Sequence, residues 1–361
     1  MKAVFRVDGN SGIGLGHMSR CLSLAEQLKI REVNCTFITR ELPREVSARI
    51  LQSGFRLALV SDEEPHGPDS SHSHSLHQID AEQDAISTIE SMSGPTDWLV
   101  VDSYAIDHVW EALLRPHTRW IMAIDDLADR SHNCDVIVDH NVPDSTNNPY
   151  ADLTPRNCLP LIGPRYALLP AVFGHARRRL QGSLEDRSGI LIFFGGGADH
   201  GLTEIALTAM TTGPLSRVPV TVVVGGSNPD SRKLFHMARQ RPMTTALGTL
   251  PHLADLMSTS AVAIGAGGVT SLERICLGLP SLVTTIAVNQ IRSTQRLASL
   301  GLLRYLGHWP VVDPASIAES TEALLEDAHW MHRSNALGME LVDGRGASRV
   351  AQEMLDFFNR S

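Results

Sequence analysis

Short apolar runs that end in clustered glycines recur along this chain, each followed by an amphipathic stretch, and this pattern constrains the fold more than any other feature. Residues 3–7 run into Asp8-Gly9 and a loop carrying Gly12, Gly14 and Gly16. Residues 190–194 run into Gly195-Gly196-Gly197, 220–224 into Gly225-Gly226, and 261–264 into Gly265-Ala266-Gly267-Gly268. A short apolar run closed by glycine reads as a buried strand, and apolar residues spaced three and four apart read as a helix packed on it. Met18, Cys21, Leu22, Ala25 and Leu28 share such a helical face within 18–30. Further strands are expected at 35–39, 57–60, 98–101, 120–124, 136–138 and 281–284, and helices at 44–53, closed by Gly54, and at 348–358. Strands that alternate with helices pair in parallel through right-handed crossovers, so the fold class is α/β.

At about 150 residues per domain, 361 residues make two. The pattern assigns 1–156 to a first Rossmann-like domain and 189–345 to a second. Residues 157–188, with Pro160, Pro164 and Pro170 and weak periodicity, read as a connector. A last helix within 346–361 could pack on either domain, the return to the first being one of the two placements. Ligands of open parallel sheets bind beyond the carboxyl ends of the strands. Two such sheets facing a central cleft would line it with their glycine turns.

Composition narrows the function classes. A net charge of −9 argues against nucleic-acid binding through a broad basic face. A small anion can still bind where backbone N–H groups converge. The five cysteines are odd in number and lack C-x-x-C spacing, which argues against a disulfide framework or a zinc site and for reduced thiols in a cytoplasm. The first residues lack the apolar stretch of a signal peptide. No run of about 18 apolar residues is present, so no membrane span is expected. The stretch 62–78 is rich in Ser, His, Pro and Gly and reads as a solvated surface loop. Its His66, His72, His74 and His77 allow a metal tract as the alternative, but nothing nearby would orient the rings as ligands.

His17 closes the first glycine loop and opens the helix after it. The positive end of a helix disfavours imidazolium, so His17 should be neutral near pH 7 and able to take a proton from water. A histidine bonded to nearby backbone fits the same position. The loop lacks the G-x-G-x-x-G spacing of a dinucleotide site, and no ribose-binding acid closes the second strand. In the second half, 265–280 reads strand, glycine turn, helix, glycine stop and Pro280. Gly267, Gly268, Thr270 and Ser271 at that helix start could hold a diphosphate, with Gly196, Gly197 and Gly225 on neighbouring turns, and Glu273 could accept from ribose hydroxyls. An ordinary βα unit reads equally well there. Asn289 and Gln290 carry the donors and acceptors to read sugar hydroxyls or acetamido groups, or are turn residues. Asp125-Asp126 ends a strand and is expected to cap the next helix rather than hold Mg²⁺. Tyr104, after Asp102-Ser103, could stack on a base or sugar, or simply pack.

Taken in order, Arg6-Val7-Asp8, the run from Gly12 to Cys21, Asp102-Ser103-Tyr104, Asp125-Asp126-Leu127-Ala128, Asp139-His140-Asn141, residues 267–280 and Asn289-Gln290 resemble the UDP-2,4-diacetamido-2,4,6-trideoxy-β-L-altropyranose hydrolases of pseudaminic acid biosynthesis. The resemblance extends from about residue 3 to 306. The second motif alone is shared with MurG-type glycosyltransferases. The resemblance implies a GT-B-like fold of two Rossmann-like domains with parallel sheets facing a cleft, without metal or cofactor. It implies UDP on the second domain, ribose on Glu273, and the sugar near Asp8, Gly14, Gly16, Tyr104, Asn289 and Gln290. It implies His17 as the base that activates water at C1. Ser271-Leu272 departs from the pattern, standing where an aromatic residue is expected before the glutamate.

Overall fold

The computed structural model describes residues 1–9, 16–60, 80–144, 147–180, 183–197 and 199–360. Gly14 and the histidine-rich stretch 62–78 lie outside the described residues. The chain divides into two compact units, Met1–Leu168 with Gly346–Ser361, and Leu169–Arg345.

The first unit holds β1 (Lys2–Val7), α1 (Gly16–Lys29), β2 (Asn34–Thr39), α2 (Arg44–Gln52), β3 (Arg56–Leu59), α3 (Ala81–Ser91), β4 (Thr96–Asp102), α4 (His108–Leu114), β5 (Thr118–Ile124), β6 (Val136–Asp139) and β7 (Leu159–Ile162). Its seven strands run parallel in the order β3-β2-β1-β4-β5-β6-β7. The central strands are buried on both faces, which is why β1 and β4 are mostly apolar, with the buried Arg6 the exception in β1. On one face Phe5 stacks on Phe37 at 5.0 Å between ring centroids.

The second unit holds α5 (Ala171–Arg179), β8 (Ile190–Phe193), α6 (Leu202–Ala209), β9 (Val220–Val223), α7 (Ser231–Gln240), β10 (Thr244–Leu247), α8 (Ala254–Thr259), β11 (Val262–Ala266), α9 (Val269–Cys276), β12 (Ser281–Thr285), α10 (Asn289–Ser299), β13 (Arg304–His308), α11 (Pro314–Glu326) and α12 (Ala328–Leu341). Its six parallel strands run β10-β9-β8-β11-β12-β13. The chain then returns to the first unit as α13 (Gly346–Arg360), which buries Ala347, Val350, Ala351 and Met354 in the core beneath β1 and α1. A Cβ at Gly346 would lie 2.2 Å from the Ala167 carbonyl oxygen, so only glycine lets α13 begin this close to the backbone it docks on.

Three strands were not anticipated from sequence, and all are sheet edges. β7 lies within the stretch read as a connector. Pro160 stands in it, opposite Ile137, and is tolerated because β7 pairs on one side only. β10 and β13 are half-exposed or polar, so they lack the apolar run that betrays a central strand.

Candidate functional site

In the first unit the strand order reverses between β1 and β4, and Val7 lies opposite Asp102 in their pairing. The carboxyl ends of two neighbouring strands with divergent crossovers leave an opening there. α1 begins above it, with Gly16 and His17 in its first turn. His17 is 6 % exposed, and the Tyr104 ring meets it edge-on at 4.6 Å between centroids.

Beneath His17 lies a buried guanidinium clamp. Arg20, one turn along α1, donates from Nε to Asp102 Oδ2 at 2.7 Å and from Nη2 to Asp102 Oδ1 at 2.6 Å. Its Nη1 donates to Asp126 Oδ2 at 2.7 Å, and the Tyr104 hydroxyl donates to Asp126 Oδ1 at 2.8 Å. Two carboxylates on one fork-shaped cation satisfy a charge that could not otherwise be buried. Burial pushes Asp102 toward its neutral form, but Arg20 and then His17 outweigh it and hold its pKa below the usual carboxylate range. His17 goes the other way: burial lowers its pKa below 6.5, and Asp102 offsets this only in part. The ring is thus neutral near pH 7. His140, just past β6, feels the same charges and is pushed by burial down to about 4.

Two further networks frame this centre. Arg6 on β1 donates to Asp8 Oδ1 at 2.6 Å and to Asp84 Oδ2 at 2.7 Å, and Asp84 also accepts from Trp110 Nε1 at 2.7 Å. This ties α3 and α4 to the sheet. Asp8 accepts from the Arg40 N–H at 3.0 Å as well, so the carboxylate expected to face a sugar is anchored by the protein. Asp125 accepts from the Leu127 and Ala128 N–H groups and pairs with Arg130 at 2.8 Å. Asp125 and Asp126 therefore serve different cations. Among the described residues no group of three or more His, Cys, Asp or Glu is arranged to hold a metal ion.

In the second unit the reversal falls between β8 and β11, and both end in glycine turns. The Gly225 turn presses on the Gly195–Gly196 backbone, where a Cβ would meet the Gly195 oxygen at 2.6 Å. Gly267 is buried with its N–H on the Thr284 carbonyl at 3.0 Å, while Gly268 is exposed with φ +97° and starts α9. Gln290 comes to the same turn, its Oε1 accepting from the Ile286 N–H at 3.0 Å and its Cβ 3.3 Å from where a Gly267 Cβ would stand. Thr270, Glu273, Gln290 and the exposed Asn289 are at least partly open to solvent. Ser271 is not: it is 2 % exposed, and its hydroxyl accepts from Arg274. With Leu272 also buried, the two positions that depart from the expected aromatic pattern face the interior.

Asp102, Arg20, His140 and Arg274 were not singled out from sequence as site residues. Arg20 and Arg274 stand outside the apolar stripes of their helices, so helical periodicity gives no sign that these guanidiniums are buried.

No protein-family model matches the chain. It is similar to the spore coat polysaccharide biosynthesis protein SpsG of Bacillus subtilis, 25% identical over 199 residues, 55% of this chain and 58% of that protein. It is also similar to the UDP-2,4-diacetamido-2,4,6-trideoxy-β-L-altropyranose hydrolase of Campylobacter jejuni, 27% identical over 263 residues, 72% of this chain and 82% of that enzyme. The resemblance read from the motifs is thus found again across most of the chain. This chain's match spans less than two thirds of the spore coat protein's own length. In three dimensions it superposes on MurG of Acinetobacter baumannii with a TM-score of 0.66 at 11% identity, covering 99% of this chain and all of that one. Glycosyltransferases and a UDP-GlcNAc 2-epimerase share the architecture. The fold is GT-B-like, two α/β units with parallel sheets. Among the described residues no helix is long and apolar enough to cross a membrane.

Proposed function

We propose that this protein is a UDP-sugar hydrolase, releasing UDP and free sugar by attack of water at C1, with UDP-2,4-diacetamido-2,4,6-trideoxy-β-L-altropyranose as substrate and a place in pseudaminic acid biosynthesis. The observation that carries the reading is a neutral, nearly buried His17 at the switch point of the first sheet, held beside Asp102 and Tyr104. Similarity to the Campylobacter jejuni hydrolase over 72% of the chain supports the substrate class.

The turns Gly196–Gly197, Gly225 and Gly267–Gly268 take the diphosphate, with Thr270, and Glu273 takes the ribose. Gly16, Tyr104, Asn289 and Gln290 border the sugar. UDP leaves readily, so one base and a cradle of N–H donors suffice where most glycosidases need two carboxylates. His17 orients water, takes its proton as the C1–O bond breaks, and passes it to solvent. A single displacement inverts C1. Metal and cofactor have no part in this scheme.

The test is UDP release from a panel of UDP-sugars by wild type and His17→Ala. General-base catalysis contributes about 10²–10⁴-fold, so the variant should lose that much turnover while binding UDP as before. Unchanged turnover rejects the assignment of His17. UDP release that requires an added acceptor replaces hydrolysis with glycosyl transfer, a reaction the shared fold also houses.

A further inference from the structure

The two units treat their buried arginines differently. Arg6 and Arg20 each lie between two carboxylates. Arg274 on α9 is as deeply buried, 1 % exposed, yet among the described residues no carboxylate forms an ion pair with it. Its Nη2 donates to the Ala266 carbonyl at 2.7 Å and to the Ser271 hydroxyl at 3.1 Å, and its Nε has no partner. Nη1 lies 2.7 Å from where a Gly265 Cβ would stand. The guanidinium therefore sits directly under the turn that leads from β11 into α9, and its charge is spent on two neutral acceptors.

A buried cation is costly unless an anion compensates it, and in a low-dielectric surrounding its field reaches well beyond its own contacts. Burial lowers the guanidinium's pKa to about 10, with Glu273 partly offsetting, so the group stays charged at neutral pH. Among the described residues the protein supplies the cation and the exposed helix start at Gly268, but no carboxylate in direct contact with the guanidinium, Glu273 acting on it only through its field.

We propose that Arg274 is the buried counter-charge for an anion bound at the 265–268 turn, and that it gives this site its preference for a nucleoside diphosphate over the uncharged nucleoside. This rests on the UDP reading above and adds to it a positioning residue that touches no ligand atom.

The experiment is calorimetric titration of UDP and of uridine into wild type, Arg274→Met and Arg274→Lys. In Arg274→Met, UDP affinity is expected to fall at least about 30-fold and uridine affinity less than threefold. Arg274→Lys keeps a cation without the fork and should lie between, again with uridine unchanged. Equal loss of both ligands in either variant, or full retention of UDP in Arg274→Met, overturns the proposal. If Arg274→Met does not fold, the UDP-to-uridine ratio in Arg274→Lys decides alone, and an unchanged ratio rejects it. Failure of wild type to bind UDP removes the parent reading; UDP binding that survives Arg274→Met removes only this one.

Discussion

His17 Nδ1 stands 3.6 Å from Asp102 Oδ1 with no hydrogen-bond partner among the described residues, while both oxygens of Asp102 already accept from Arg20. The separation is too long for a hydrogen bond. Asp102 therefore acts on the imidazole as a fixed charge, raising a pKa that burial lowers more strongly.

That balance fixes the sign of the pH dependence. A base works in its neutral form, so UDP release should be level at neutral pH and fall on acidification with a midpoint below 6.5. Asp102→Asn removes the charge that favours imidazolium, so the midpoint should move lower still. A midpoint above 6.5 in wild type, or a rise in the variant, would contradict the roles of both residues. The pH–rate profile reads this directly.

Arg20→Met should be severely destabilising. It strands Asp102, buried at the end of β4, and Asp126, partly buried just past β5, each hydrogen-bonded to that guanidinium. Removing one partner of a buried pair costs about 3–5 kcal/mol. Urea titration of the variant against wild type measures the loss, and a cost under about 1 kcal/mol would mean that water reaches the two carboxylates.

Asp139 offers the opposite case. Burial raises its carboxyl from 3.8 to about 7. Its Oδ1 accepts from the Asn141 N–H at 2.8 Å, and Oδ2 lies 3.2 Å from the Tyr150 hydroxyl, which also reaches Asp125 at 3.0 Å. A protonated Asp139 donates to Tyr150 while Tyr150 donates to Asp125. The folded pKa lies above the unfolded one, so the group's contribution is full below about 3.8 and is lost as pH rises through about 7. Asparagine keeps the same donor and acceptor at every pH. Asp139→Asn should therefore raise the melting temperature at pH 8, by the equivalent of up to about 4 kcal/mol, with the gain shrinking steadily as pH falls toward 4. A gain independent of pH would rule out titration of Asp139 as its source.

Much of this was legible in the sequence because central parallel strands are buried on both faces and must be apolar. Residues 3–7, 98–101 and 261–264 declared themselves that way, and the glycines after the first and the last of these runs marked the carboxyl ends where His17 and Gly267 stand. What the sequence hides is pairing between distant residues. Arg20 and Asp102 are 82 positions apart, and nothing local tells that the arginine on α1 will close on the end of β4. Ser271 stands at a helix start, where a ligand contact is expected from sequence, but its side chain turns inward to a guanidinium whose burial only the packed structure reveals.

Gly265 carries the last prediction, because its reason is packing rather than turn chemistry. It pairs with Phe193 across β8 and β11, and a Cβ there would stand 2.2 Å from the Phe193 carbonyl oxygen and 2.7 Å from Arg274 Nη1. Alanine must either part the two central strands or push the guanidinium out from under the turn. Overpacking of this kind costs about 1–3 kcal/mol. Gly197→Ala meets nothing within 4 Å and should change stability by less than about 0.5 kcal/mol. Melting temperatures and UDP titrations of the two variants separate the effects. Gly265→Ala should lose stability and UDP affinity together, whereas any loss of UDP affinity in Gly197→Ala should come with an unchanged melting temperature. A Gly265→Ala protein as stable as wild type would mean that Arg274 can move aside freely, and the buried counter-charge would then have no fixed place beneath the turn.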